Sequence, residues 1–160
     1  MKNLLLVLLV LPIIGFAQIV NIPDALFKAY LVGNTAINTN GDKEIQVSEA
    51  RAIRRIDCHN MNISNLTGIE AFTALDFLEC YHNQLTSLDL SKNTALTYLD
   101  CWDQQLRSLD VSKNTALTDL RCSYNQLTSL DLSKNTALTE LYCNENHFDC
   151  DAMRSKYGID

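Results

Sequence analysis

The chain has 160 residues, of which 47% are hydrophobic, with 13 basic against 19 acidic side chains and a net charge of −6. An acidic balance excludes nucleic acid and anionic lipid surfaces as partners, because both require a basic patch. No block of like charge and no Pro/Gly-rich linker divides the sequence, so the part beyond its leader suits one domain.

The leader is residues 1–17. Lys2 supplies a positive start, Leu4–Ile14 an apolar run, and Gly15-Phe16-Ala17 small residues before a cut ahead of Gln18, the pattern of a secretory signal. The run is shorter than the ~20 residues that span a bilayer and contains Pro12, which argues against a membrane helix. The expected product is exported, has no inserted segment after cleavage, and resides outside the cell or in the envelope of a bacterium. Cleavage removes Lys2 alone among the charged residues, so the product is slightly more acidic than the precursor.

Residues 18–52 form a cap that reads as helix, loop and short helix. Pro23 fits a first helical turn, Leu26, Phe27 and Tyr30 give an apolar stripe, and Gly33-Asn34 suit a stop. Ser48 is the expected N-cap of a short helix over 49–53. Between them, residues 38–49 follow the frame of an EF-hand loop, with oxygen-bearing Asn38, Asn40, Asp42, Glu44 and Glu49 as candidate calcium ligands. Position 1 is neutral Asn38, and position 6 is Lys43 where the sharp turn wants glycine. Weak calcium binding and a plain structural loop both fit this pattern.

From residue 53 a period of 21 residues takes over. Leu-Thr-Ser-Leu-Asp-Leu-Ser-Lys-Asn-Thr-Ala-Leu-Thr occurs at 85–97 and again at 127–139, with a near-copy at 106–118. Five copies start at Ile53, Leu75, Leu96, Leu117 and Leu138, separated by one step of 22 and three of 21. Such a period implies a stacked solenoid, here spanning 53–148. Each copy opens L-x-x-L-x-C-x-x-N-x-L, and the alternation seen in Leu78 and Cys80 is that of a short strand buried on one face. The expected fold is therefore an α/β repeat solenoid with one parallel sheet. One coil alone buries too little apolar surface to offset the ordering of its backbone, so both open ends need covers. Residues 149–160 supply the second cover, a helix capped by Asp149, stopped by Gly158 and packed through Met153 and Tyr157.

Five cysteines, Cys58, Cys80, Cys101, Cys122 and Cys143, occupy one repeat position. Adjacent strands lie about 4.8 Å apart with equivalent side chains parallel, whereas a disulfide needs converging Cβ atoms at about 3.5–4.5 Å. The expectation is a ladder of five reduced, buried thiols that act as small hydrophobes. Cys150 is out of register, and a Cys143–Cys150 bridge is the open alternative at the chain end. Asn83, Asn125 and Asn146 face inward at the turn after each strand, where their amides serve the backbone; Gln104 and Met61 stand at that position in two coils.

This repeat resembles the 21-residue cysteine-ladder repeats of bacterial internalin-type leucine-rich repeat proteins, and the 22-residue first coil resembles the more general internalin repeat. The resemblance implies a curved right-handed solenoid whose concave strand face binds a partner, with 22–52 matching the helical N-terminal cap of such proteins.

The outward strand positions differ at nearly every step, while the opposite half of each coil barely changes. The variable set comprises Arg55, Asp57, His59 and Asn60; Phe77, Glu79, Tyr81 and His82; Tyr98, Asp100, Trp102 and Asp103; Asp119, Arg121, Ser123 and Tyr124; Glu140, Tyr142, Asn144 and Glu145. It holds the only Trp, four of six Tyr and two of three His. Aromatics with a polar handle suit a binding surface, while cross-strand ring packing is the competing explanation. The expected site centres on Trp102 with Tyr81 and Tyr98 beside it, and takes in Phe77, Glu79, His82, Asp100, Asp103, Asp119, Arg121, Tyr124 and Tyr142. The face measures roughly 400 Å², half of what one side of a standard protein interface needs, so a peptide, a glycan or a small protein contact fits a monomer of this size. Catalysis is not expected, because the thiols are buried and no metal-ligand spacing or phosphate loop occurs. A structural fragment without a ligand is the alternative function.

Overall fold

The computed structural model describes residues 18–159; the expected leader, 1–17, lies outside them. Five three-residue strands, β1 (Arg55–Asp57), β2 (Phe77–Glu79), β3 (Tyr98–Asp100), β4 (Asp119–Arg121) and β5 (Glu140–Tyr142), form one parallel sheet in chain order. The register follows the repeat, with Ile56, Leu78, Leu99, Leu120 and Leu141 paired in a row and all buried. Parallel pairing continues past each strand, where the amides of Cys58, Cys80, Cys101 and Cys122 donate to the next coil at 2.8–2.9 Å.

Two ladders of side-chain amides hold coil to coil. Asn83 Oδ1 accepts from the Met61 and Ile63 amides, while its Nδ2 donates to the Cys58 and Cys80 carbonyls. Asn125 and Asn146 repeat the arrangement. Gln104 substitutes in part, accepting from Leu85 N at 2.9 Å and donating to the Cys80 carbonyl at 2.7 Å, one cysteine carbonyl where each asparagine serves two. The second ladder, absent from the sequence reading, is Asn93, Asn114 and Asn135 on the opposite side. Each donates Nδ2 to two carbonyls of the preceding coil, and each leaves its buried Oδ1 without a partner.

The N-terminal cover contains α1 (Ala25–Gly33) and α2 (Val47–Ala50), tied by an antiparallel bridge between Ile19 and Gln46. Asp24 caps α1 by accepting from the Leu26 and Phe27 amides, and its other oxygen accepts from Ser64 and Asn65 of the first coil. The inward stripe of α1 is Phe27 and Leu31, with Tyr30 partly buried; Leu26 points outward at 50% exposure, contrary to expectation. The Tyr30 hydroxyl accepts from the Asp57 amide and so covers the β1 edge. The N-cap of α2 is Gln46 rather than Ser48, which lies inside the helix, because Glu49 reaches back to accept from Gln46 N.

The other cover, α3 (Cys150–Tyr157), matches expectation, with Asp149 accepting from Ala152 N and Gly158 left-handed at the stop. Arg154 Nε donates to the Leu141 carbonyl at 2.8 Å, covering the β5 edge. The ladder of five reduced thiols needs one correction. Cys58, Cys80, Cys101 and Cys122 are free and buried, but Cys143 forms a disulfide with Cys150 at a Cα–Cα distance of 5.5 Å. The last coil has no further coil above it, and the Asp149 cap sets Cys150, the first residue of α3, over the open end of the ladder.

Candidate functional site

The outward side chains stand in four rows across the sheet. The last residue of each group is left-handed in every coil: Asn60, His82, Asp103, Tyr124 and Glu145 have φ between 52° and 57°. Such a conformation costs about 1–2 kcal/mol in most non-glycine residues, Tyr124 and Glu145 among these, and less in Asn or Asp. The amides of His82, Asp103 and Tyr124 nevertheless complete the inter-coil pairing at 3.0 Å each. Two members of the outward set are more enclosed than expected, since Asp100 and Ser123 are buried among their neighbours.

The aromatic residues divide into two groups. Around Trp102 stand Tyr81 (centroids 6.4 Å), His82 (4.2 Å, edge-on) and Tyr124 (5.6 Å, edge-on), while His59 stacks on Tyr81 at 4.5 Å. Tyr98 belongs to the other group, stacked on Phe77 at 4.2 Å, with the Arg55 guanidinium 3.7 Å from the Phe77 centroid. Tyr98 is paired with Phe77 in the strand register, and Trp102 lies four residues further along, about 13 Å in extended chain. The rings beside Trp102 are therefore Tyr81, His82 and Tyr124, all members of the expected site, and Tyr98 is not among them.

Most charges on the face are matched. Arg55 pairs with Glu79 at 2.8 Å, Arg121 grips Asp119 through two nitrogens, and His59 and His82 bond to Asp57 and Asp103. Arg121 lies between Tyr98 and Tyr142, its carbon 5.3 and 5.1 Å from their centroids. Asp100, Glu140 and Glu145 form no ion pair among the described residues, and burial pushes the Asp100 carboxyl above the usual range despite the Trp102 N–H it accepts. Burial and the neighbouring Asp100 carboxylate also raise the Tyr98 hydroxyl, to about 12.

Among the described residues no group of three or more His, Cys, Asp or Glu side chains forms a metal site. The four free thiols are poor nucleophiles, because burial raises Cys58 and Cys122 to about 12 and Cys80 and Cys101 well above the ordinary thiol value. In the 38–49 loop, Asn38 bonds to Val32 and Asp42 carbonyls and to Gly41 N, Asn40 bonds to Asp42 and Gln46, and Glu44 pairs with Lys28. Glu49 accepts from Thr39, Asn40 and Gln46; burial alone would raise its carboxyl, but these donors hold it below the usual range. Gly41, not Lys43, takes the left-handed turn.

No family model matches the chain. It is 46% identical over 71 residues to internalin J of Listeria monocytogenes, a match spanning 44% of this chain and 8% of that relative. The repeats are homologous to those of Listeria internalins. The solved functional domain of internalin J, which includes a cysteine ladder, aligns at 42% identity with a TM-score of 0.73, covering 82% of this chain and 29% of that one. Internalin F of the same organism aligns at 20% identity with a TM-score of 0.64 over 92% of this chain and 52% of its own, a likeness of fold alone. The chain thus spans a small part of the curated relative it matches. Among the described residues no helix is long and apolar enough to cross a membrane.

Proposed function

We propose that this chain is an exported leucine-rich repeat binding module that recognises a protein, peptide or glycan on its strand face, outside the cell or in the cell envelope. The observation carrying this reading is the contrast between the two sides of each coil. The opposite half repeats Ser-Lys-Asn-Thr-Ala in three coils with its buried asparagines, while the strand face changes in each coil and leaves Tyr124 and Tyr142 52% and 44% exposed. Exposed rings add nothing to the solenoid core, whereas ring faces beside polar tips are what partners grip. The homology to internalins supports the same reading.

A structural role for part of the face has its own support in the near-parallel stacks of Phe77 on Tyr98 and His59 on Tyr81. The Trp102 side of the face is the part assigned to the ligand. Truncating a central aromatic anchor costs about 2 kcal/mol or more, so Trp102→Ala should weaken binding of a captured partner at least about tenfold. Lys113→Ala, on the opposite, exposed side, should leave affinity unchanged. The reverse order of effects would sink the assignment. The 38–49 loop carries a separate proposal, weak calcium binding, with Asp42 and Glu44 as its outer carboxylates and Glu49 giving up backbone donors to reach the ion.

A further inference from the structure

Trp102, Tyr124 and Tyr142 wall a cleft of about 520 Å³ at the β3–β5 end of the strand face, with Asp100 and Arg121 among its lining residues and Glu145 at its rim. Trp102 and Tyr124 stand nearly perpendicular, at 85°. The ring faces therefore meet an entering group from more than one direction. The volume is in the range of small-ligand pockets, and the cleft is broadly open to solvent.

The charges around the cleft do not cancel. Arg121 is the one cation lining it, and both of its bonds to carboxylate go to Asp119, at 3.2 and 3.1 Å. Neither Asp100 nor Glu145 forms an ion pair among the described residues. Asp100 is only 8% exposed; one oxygen accepts from the Trp102 N–H at 3.0 Å and the other has no hydrogen-bond donor among the described residues. Its free oxygen is not among the fully buried unpartnered atoms and so reaches the cleft, and Arg121 acts on it only through space, without a bond. A carboxylate so largely desolvated and unbonded to a cation gains free energy when one arrives. Burial accordingly raises its pKa.

We infer that this cleft seats a lysine or arginine side chain presented by a peptide or protein partner, the methylene stem lying against Trp102, Tyr124 and Tyr142 and the cation reaching Asp100. This rests on the strand-face reading above and gives it a ligand chemistry. Aromatic faces attract a cation through the ring quadrupole, more strongly once water is excluded, and a planar guanidinium also stacks on them. The same surface repels an anionic ligand. A neutral sugar would gain the ring contacts but would leave Asp100 uncompensated.

Trp102 is the only tryptophan in the chain, so its fluorescence reports directly on the cleft. The probes are blocked tripeptides, Gly-Arg-Gly and Gly-Lys-Gly against Gly-citrulline-Gly and Gly-Glu-Gly, titrated into the chain at fixed ionic strength, with a neutral oligosaccharide as a further arm. The basic peptides should quench saturably and bind at least about fivefold more tightly than the citrulline peptide, and added salt should erode the difference. Asp100→Asn keeps the oxygen that accepts from Trp102 N and should erase the preference while leaving the melting temperature equal or higher. Glu145→Gln, at the exposed rim, should reduce the preference in part. The inference is overturned if citrulline, glutamate or sugar probes bind as well as arginine, if the basic peptides give no response, or if Asp100→Asn retains the preference in a folded protein. Comparing partner binding by Trp102→Ala separates the two levels. A loss there with no charge preference leaves the strand face as the site and removes only the basic ligand.

Discussion

Replacing Asn114 tests the ladder on the side away from the binding face. Its Nδ2 donates to the Leu90 and Asn93 carbonyls of the preceding coil at 3.1 and 2.9 Å, and its Oδ1 is buried without a partner. Asn114→Ala removes two hydrogen bonds worth about 1 kcal/mol each net. Both carbonyls keep a backbone donor, from Asn93 N and Leu96 N, and an orphan acceptor disappears with the side chain. The net loss should therefore be small, about 1 kcal/mol or slightly more, or roughly 2–4 °C in melting temperature for a domain of this size. Asn114→Asp keeps the shape but sets a carboxylate against two carbonyls. A buried charge without a partner costs about 3–5 kcal/mol, so this variant should be much the worse. Its carboxyl would have a raised folded-state pKa, so its penalty should grow as pH rises from 5 to 7. Thermal melts of both variants at the two pH values measure this. An aspartate variant as stable as the alanine variant at pH 7 would refute the amide orientation described here.

Gly68 has φ 106°, and a Cβ there would lie 2.8 Å from Ile22 Cγ1 and 2.9 Å from the Asn21 carbonyl oxygen. Gly68→Ala should therefore lose about 2–4 kcal/mol through backbone strain and overlap, measured by denaturant titration. Thiol counting under denaturing, non-reducing conditions should find four free thiols and one disulfide, and the native protein should resist alkylation at neutral pH because the four ladder thiols are buried with raised pKa values. Cys150→Ser should lower stability by about 2 kcal/mol, the loop it opens being short. For the 38–49 loop, calcium binding is tested by melts in millimolar calcium: a rise that Asp42→Ala abolishes supports it, and no response leaves the loop a structural cap.

The solenoid was legible because repetition averages out local ambiguity. The five starts at Ile53, Leu75, Leu96, Leu117 and Leu138 place five strands whatever the propensity of any one of them. The closing helix was legible for another reason, with Asp149 and Gly158 marking its two ends. Single contacts were less so. The role of Asn93, Asn114 and Asn135 was hidden inside the segment that hardly varies, where nothing distinguished a buried amide from a turn residue. Among the left-handed turn residues His82 and Asp103 are types that adopt that conformation readily, but Tyr124 is not, so there the inter-coil hydrogen bond from its amide imposes it. All the residues of the Trp102 cleft lie in the outward set, yet their grouping depends on which ring leans on which. That geometry separates Tyr98 from Trp102 and brings in Tyr124.

Site-specific photocrosslinking tests the central claim most directly. A benzophenone amino acid replaces Tyr124 in one preparation and Lys113 in another, and each is irradiated with a partner whose affinity for the native chain has been measured. The partner should crosslink from position 124 and not from position 113. Crosslinking from 113 alone would place the partner on the repeated side of the solenoid and contradict the strand-face account.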